Sequence, residues 1–332
     1  MRKAPPSRPV PFFSSLLEHA NPRPPSPLDA RSRLPYSRSM LAQQLVNGVL
    51  LGATYALFAL GFTLMFGVLR VINLTYGFYF SAGALIALWL TRSMGLGLAT
   101  TLPLAAVATG LGAVVIDALL LTRLRRLHAP ELSFLMVTLG GVLALYAALA
   151  AWLGPDIRRL PPGVIGAEAY ILGPIRITEA QLLILAVTAV LVAGLVAIMR
   201  GTRLGLAIRA MAENPAAAQL MGIDTTRAAA LVSFLSGTLA GAGGVLIGLN
   251  FNAVHPYMGE TMMLRGFVVI IVGGLGDLRG AIVAGFALGL IEVATAAYLS
   301  SNLKEAVAFL ILVAVLWTRP AGLFGRAVTR RA

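Results

Sequence analysis

Long apolar runs that carry almost no charge recur along the chain and restrict what it can fold into. Runs such as Leu132 to Leu153 and Ala180 to Met199 come close to the ~20 residues with which a helix crosses a bilayer. Only 12% of the 332 residues are charged, about half the fraction in soluble domains. In lipid the backbone polar groups must pair internally, and runs without alternation favour helices over a barrel. We predict an all-α fold, a polytopic transmembrane helical bundle of about eight to ten membrane segments.

Two of the runs have lengths that predict broken or short segments. The run from Leu41 to Leu69 is too long for one untilted crossing, and Gly61 and Gly67 are candidate break points, so it crosses either once or twice. The run from Leu264 to Leu275 is too short for a full crossing and ends among glycines. Segments of this kind occur where the backbone lines a cavity inside a membrane protein.

Glycines spaced four residues apart predict close packing between helices. This spacing of small residues lets two helix backbones approach each other in a membrane. The pairs are Gly48 with Gly52, Gly237 with Gly241, Gly244 with Gly248, and Gly285 with Gly289.

The net charge of +13 indicates orientation in a membrane, not binding to nucleic acid. The arginines lie between the apolar runs or in the tails, which is the positive-inside pattern. We therefore expect three segments in the cytoplasm: the loop Arg123 to Arg126, the segment Arg200 to Arg227 and the tail from Arg319. Counting crossings between them places Pro155 to Glu179 on the outer side.

Residues 1–39 differ in composition from the rest of the chain. They hold seven basic residues against Glu18 and Asp29, are rich in proline and serine, and lack an apolar run long enough for a signal peptide. We predict a disordered tail, followed by a single transmembrane domain of residues 40–332 that carries a cytoplasmic loop at 200–227. The apolar pattern starts abruptly at Met40, so the alternative is that Met40 is the natural start and the tail an extension.

The residue types that catalysis requires are absent or scattered. The chain has no cysteine, and its three histidines, His19, His128 and His255, are far apart. Neither Lys3 nor Lys304 lies in a phosphate-binding loop, and no nucleophile turn of the G-x-S-x-G type is present. We expect no catalytic residue, no metal and no cofactor, and we expect any ATP to be hydrolysed by a partner protein.

The loop sequence GTRLGLAIRAMAENPAAAQLMGID, from Gly201 to Asp224, predicts a short helix on the cytoplasmic side. Proline suits the first turn of a helix, where a carboxylate is also favoured, and glycine suits the position after its end. A connecting helix in solvent is the plainer interpretation. The small apolar surface instead favours insertion into a groove of a partner. The coupling residues on this interpretation are Glu213, Asn214, Pro215, Ala216, Ala217, Leu220 and Gly222.

Three blocks of sequence resemble the branched-chain amino acid permease family of ABC importers. They are NGVLLGATYALFALGFTLMFGVLRVIN from Asn47, the loop quoted above, and GGLGDLRGAIVAGFALGLIE from Gly273. Together with their spacing they cover nearly everything from Met40 to the end. Residues 1–39 have no counterpart in the family pattern.

The resemblance implies a subunit of an ATP-driven importer in the bacterial inner membrane. Its implied partners are a second permease subunit, identical or related, two cytoplasmic ATPase subunits and a periplasmic or extracellular binding protein. Residues Glu213 to Gly222 would dock into the ATPase. ATP binding there would shift the bundle between inward- and outward-open states.

The candidate substrate path departs from the family at one place. After the asparagine that matches Asn73, the family has histidine, glycine and glutamate, whereas this chain has Leu-Thr-Tyr-Gly-Phe-Tyr. The change leaves open a branched-chain amino acid, another amino acid, or urea or a short amide. Polar groups in an apolar region face a bundle interior or an interface. The path residues on this interpretation are Asn73, Thr75, Tyr76, Tyr79 and Glu292.

Two acidic residues inside apolar runs, Asp117 and Glu292, support a rival hypothesis. Buried carboxylates in a membrane are costly and are functional candidates by default. A proton-coupled secondary transporter would use one of them as its proton site. For Asp117 the simpler account is an ion pair with Arg123 near the cytoplasmic surface, and for Glu292 a hydrogen bond between helices is the alternative.

Overall fold

The computed structural model describes residues 27–127, 129–161, 169–172 and 175–325. A short antiparallel hairpin, β1 (Ala169–Leu172) and β2 (Ile175–Thr178), interrupts an otherwise helical chain in this part. The predicted all-α class is confirmed, with this hairpin as an addition. The helices are α1 (Pro27–Leu69), α2 (Thr75–Met94), α3 (Leu98–Leu120), α4 (Thr122–Arg126), α5 (Glu131–Leu153), α6 (Glu179–Gly201), α7 (Arg203–Glu213), α8 (Pro215–Leu220), α9 (Thr225–Phe251), α10 (Met258–Gly273), α11 (Leu278–Tyr298) and α12 (Lys304–Thr318).

Seven helical segments of the described residues are long and apolar enough to cross a membrane. They are α1 from Met40, α3, α5, α6, α9, α11, and α12 with the 3-10 turn that precedes it. The hydrophobic helices α2, with 20 residues, and α10, with 16, complete the bundle. The prediction of about eight to ten segments, some of them short, is confirmed. The short run predicted from Leu264 begins earlier as a helix, at Met258.

Helix α1 is continuous, so the first apolar run crosses once and the predicted breaks at Gly61 and Gly67 are wrong. These glycines instead admit neighbours: a Cβ on Gly61 would overlap the Tyr76 hydroxyl, and one on Gly67 would press on the backbone of Gly276. In the part of α1 from Met40 onward, 83% of the most apolar 18-residue stretch is buried, so α1 is the central helix of the bundle. The helix begins at Pro27, inside the predicted tail. Residues 1–26 lie outside the described residues, so the tail stays a prediction.

Small residues bring helix backbones into contact at two places around the central helix α1. On α9, Gly241 lies against the backbone of Gly83 and the side chain of Thr109, and Gly244 lies against the carbonyl of Phe80. The packing interpretation of the spaced glycines is confirmed. The same close approach joins α1 to α11 through Gly48, Gly52, Gly285 and Gly289.

Helix α2 starts inside the bundle, not at its edge. Its sixth residue, Phe80, contacts Gly244 in the second half of α9, so its first turn lies beside the middle of α9. Residues 70–74 are non-helical and lead back into the bundle to the fully buried Asn73. Helix α10 starts close by, since the Gly259 N–H donates to Ser81 Oγ at 2.8 Å. Irregular backbone at such a position is tolerated where protein surrounds it.

The three arginine-rich segments predicted to share one side of the membrane lie at one end of the bundle. Helices α3 and α9 run antiparallel, because Ala113 packs on Gly237 and Thr109 packs on Gly241, so α3 ends on the side where α9 starts. After α12 the chain returns to α10, where the Leu323 N–H donates to the Val272 carbonyl at 2.8 Å. We call this end, formed by residues 121–127, 129–131, 200–227 and 319–325, the coupling end.

The first turns of α1 within the bundle lie at the opposite end. Gln43 exchanges two hydrogen bonds with Arg176 of β2, at 3.0 and 2.8 Å. Just after the end of α9, Val254 exchanges two backbone hydrogen bonds with Arg158, each at 2.8 Å. Burial of His255 in the adjacent loop lowers its pKa from the ordinary 6.5, so its imidazole is neutral at pH 7.

Candidate coupling and substrate sites

The short helix predicted in the cytoplasmic loop is present as α8. Asn214 is its N-cap, and its side-chain oxygen accepts from the N–H groups of Ala216 and Ala217 at 3.0 and 3.1 Å. Pro215 occupies the first turn, where its missing N–H costs nothing. Gly222, with φ of +81°, takes the left-handed conformation that follows many helix ends. The local sequence thus specifies both ends of α8.

The outward surface of α8 is apolar and exposed. Leu220 is 89% exposed and Met221 83%, and the small side chains of Ala216 and Ala217 also face outward. Ala218 is buried and holds the helix to the rest of the bundle. Two large hydrophobic side chains displayed together at the coupling end have the chemistry of a docking surface.

Arg70 joins this region to the central helix. It follows α1 directly, and its guanidinium donates to the carbonyl of Ala212 at 2.9 Å and to that of Glu213 at 3.3 Å. Glu213 is the last residue of α7, not the start of α8, and its carbonyl lies immediately before the Asn214 cap. Arg70 itself has φ of +53°, unusual for a residue with a side chain. The contact connects the end of α7, directly before α8, with the non-helical residues 70–74.

A large cavity of about 910 Å³ opens at the coupling end. Its lining collects the end of α1, residues 70–72, the start of α5, the end of α7 and the turn between α10 and α11. The charged residues of the lining are Arg70, Glu131, Glu213 and Asp277. A polar opening of this size at the end of a membrane bundle has the dimensions of a vestibule for a small solute.

The predicted path residues around α2 are brought together in the interior. Asn73 Oδ1 accepts from the Thr75 N–H at 3.0 Å, and the hydroxyls of Thr75 and Tyr79 lie 3.0 Å apart. Tyr76 donates to the Phe58 carbonyl at 2.9 Å. All four predicted residues are at most 1% exposed, so their polar groups are paired within the bundle in this conformation.

The fifth predicted path residue, Glu292, lies apart from these, on α11. It is 2% exposed, and its Oε2 accepts from the Tyr55 hydroxyl at 2.7 Å. Arg265 of α10 faces it, with Nε 3.4 Å from Glu292 Oε1, and the guanidinium lies 5.8 Å from the centre of the Tyr55 ring. Sequence reasoning missed Arg265 and Tyr55. A signal was available, because Arg265 is a cation inside the apolar run that starts at Leu264.

Asp117 forms an ion pair near the coupling end, as predicted, but its partner is Arg125 and not Arg123. Arg125 Nη1 lies 3.0 Å from Asp117 Oδ2, and the second nitrogen contacts the other oxygen. The short helix α4 after Leu121 turns the chain so that Arg125 points back to α3. Arg123 is exposed.

The helical bundle, the exposed helix α8 and the polar opening are together the features expected of a membrane transport component. A family model described as the permease component of the branched-chain amino acid transport system matches residues 44–316. The chain belongs to this family. The permease is therefore a multi-pass membrane protein and a component of a transport system.

Relatives with curated names are similar over almost their whole length. The permease is 32% identical over 296 residues to the high-affinity branched-chain amino acid transport system permease protein LivH of Salmonella typhimurium, covering 86% of this chain and 95% of the relative. The permease protein BraD of Pseudomonas aeruginosa is also 32% identical, over 298 residues and the same shares. The ribose import permease protein RbsC of Haemophilus influenzae is 31% identical over 132 residues, 36% of this chain and 39% of the relative. No solved structure matches the permease significantly.

Proposed function

We propose that the permease forms one half of the translocation channel of an ATP-driven importer for branched-chain amino acids in the bacterial inner membrane. The cargo follows from the names of LivH and BraD and from a match that covers 95% of each of them. The observation that carries the ATP-driven mechanism is the coupling helix α8, whose exposed Leu220 and Met221 suit a groove in another protein.

The remaining partners follow from the same proposal. ATP is hydrolysed by two subunits that bind at the coupling end, a second permease completes the channel, and a binding protein delivers the amino acid at the opposite end. Arg70 carries motion of α8 to the central helix, since it holds the carbonyls that precede α8. The aromatic pair that stands after Asn73 in place of the family's histidine and glutamate does not require another cargo. The Tyr76 hydroxyl bonds to the Phe58 backbone, which is a packing role.

Uptake of radiolabelled leucine into proteoliposomes that contain the permease and its partners tests the function. We expect uptake to require ATP and the binding protein and to be indifferent to a protonophore. Uptake that a protonophore abolishes, and that needs no ATPase, would establish the proton-coupled alternative. Each of the two carboxylates available to that alternative already forms an ion pair with an arginine: Asp117 with Arg125, and Glu292 with Arg265.

Leu220→Arg tests the docking surface itself. Burying an arginine in an apolar groove is costly, so ATPase subunits should no longer co-purify with the tagged permease, while its insertion into the membrane persists. Leu299→Arg is the matched control, because Leu299 is also exposed but follows α11 at the opposite end. ATPase that stays bound to the Leu220 variant would refute docking through α8.

A further inference from the structure

A charged pair between α10 and α11 has hydrogen-bonding capacity that the fold does not use. Glu292 Oε1 and Arg265 Nε are 3.4 Å apart, yet neither atom has a hydrogen-bond partner. The other carboxylate oxygen of Glu292 is fixed by Tyr55 at 2.7 Å. A buried ion pair that serves only stability needs good geometry and hydrogen bonds to offset the desolvation of both charges. This pair is fixed in place but incompletely bonded.

A small cavity lies directly beside the pair. It measures about 20 Å³, enough for roughly one water molecule, and Thr261, Glu305 and Phe309 are among its lining residues. Thr261 and Glu305 are exposed at the outer edge of the cavity, between α10 and α12. Helix α12 lies over the cavity. Only 6% of its most apolar 18-residue stretch is buried, the lowest fraction among the described membrane spans. The pair therefore lies close to the surface of the bundle, behind α12.

The two side chains are complementary to the two charges of a free amino acid. A guanidinium binds a carboxylate through paired hydrogen bonds, and a carboxylate accepts from an ammonium group. An amino acid zwitterion between the two side chains would accept a hydrogen bond from Arg265 Nε through its carboxylate and donate one to Glu292 Oε1 through its ammonium group. Its binding would leave the net charge unchanged. We propose that Arg265 and Glu292 form the head-group site for a zwitterionic amino acid, closed here by their own contact. This inference rests on the proposed function and assigns the recognition step to these two residues.

The double variant Arg265→Gln with Glu292→Gln separates recognition from structure. If the pair is only structural, each single substitution is harmful because it strands a buried charge, and the double substitution restores uptake. If the pair binds the amino acid, we expect the double variant to assemble with its partners and melt like the wild type, while leucine uptake falls about tenfold or more. Uptake restored to the wild-type level in the double variant overturns the proposal.

Two further measurements keep the test decisive. Asp117→Asn with Arg125→Gln neutralises another buried arginine–carboxylate pair and should leave uptake within about twofold, since removing both charges leaves neither uncompensated. The permease has no cysteine, so Thr261→Cys gives a single alkylation site at the cavity. In a Thr261→Cys transporter that still transports leucine, we expect added leucine to slow the alkylation of the cysteine severalfold. If leucine leaves the alkylation rate unchanged, the proposed site is wrong, even if the double variant does not assemble. Wild-type transporter that moves no leucine contradicts the proposed function instead.

Discussion

At the scale of single residues, the structure separates side chains that the sequence presents alike. Tyr76 and Tyr79 lie three apart in a polar interruption of an apolar region, and both are buried. Tyr76 stacks on Phe62 with ring centres 5.2 Å apart and bonds to backbone, which is core packing. Tyr79 shares its hydroxyl with Thr75, close to Asn73 at the start of α2. Of the two, Tyr79 remains the proposed path residue.

Gly244→Ala tests the close approach of α9 to α2. A Cβ at this position would overlap the Phe80 carbonyl, and backbone cannot move aside cheaply. We expect a loss of about 1–3 kcal/mol in stability, measured by thermal unfolding of the purified permease. Gly194→Ala is the control, because a Cβ there meets nothing within 4 Å. A helical alanine with free space should be neutral or slightly stabilising, and equal losses at both sites would contradict the packing account.

At the scale of elements, helix ends decide how the coupling end is built. Helix α8 has only six residues, too few to persist without its cap and its neighbours. Helix α10 ends at Gly273, where the C-terminal segment supplies the missing donors: Leu323 and Phe324 donate to the carbonyls of Val272 and Gly273. In both places one segment completes the hydrogen bonding of another.

Asn214→Ala tests whether the preformed shape of α8 matters for coupling. Loss of an N-cap costs about 1 kcal/mol of local helix stability, a factor of roughly five in the folded population. We expect ATP-driven leucine uptake to fall by up to about that factor. Asn214→Ser supplies another capping oxygen and should keep most of the uptake. A serine variant as impaired as the alanine variant would show that Asn214 acts in some way other than capping.

At the scale of the whole molecule, a contact made by Arg70 joins the coupling end to the interior. Arg70 holds the end of α7, and three residues later Asn73 begins the buried turn that starts α2. In the proposed mechanism, a push on α8 reaches residues 70–74 through Arg70, without passing through a long helix. Coupling of this kind requires an element with two arrangements, and residues 70–74 are the segment suited to it.

Arg70→Gln tests this connection. Hydrogen bonds from a charged group contribute about 1.5–3 kcal/mol when buried and less when exposed, as Arg70 is. We expect the ATPase subunits to remain bound while the ATP consumed per leucine transported rises severalfold. Arg123→Gln removes an exposed arginine from the same end and should leave this ratio unchanged. An unchanged ratio in the Arg70 variant would remove Arg70 from the coupling route.

The sequence by itself determined the helical class, the shared side of the arginine-rich segments and the form of α8. Apolar length, positive charge between runs, and an Asn-Pro start with a glycine end are local properties, so no long-range contact is needed to interpret them. The close-packed glycines were predictable for the same reason.

Only the tertiary structure decided which residues meet. Gly61 does not break α1 because Tyr76 fills the space that it leaves. Asp117 pairs with Arg125 because α4 turns the chain back, and Glu292 meets Arg265 across 27 positions because α10 and α11 lie side by side. Which side chains pair inside a membrane depends on the rotation of each helix about its axis and on the level at which it begins. The hydrophobic pattern of a sequence does not specify either, so it does not identify the partner of a buried charge.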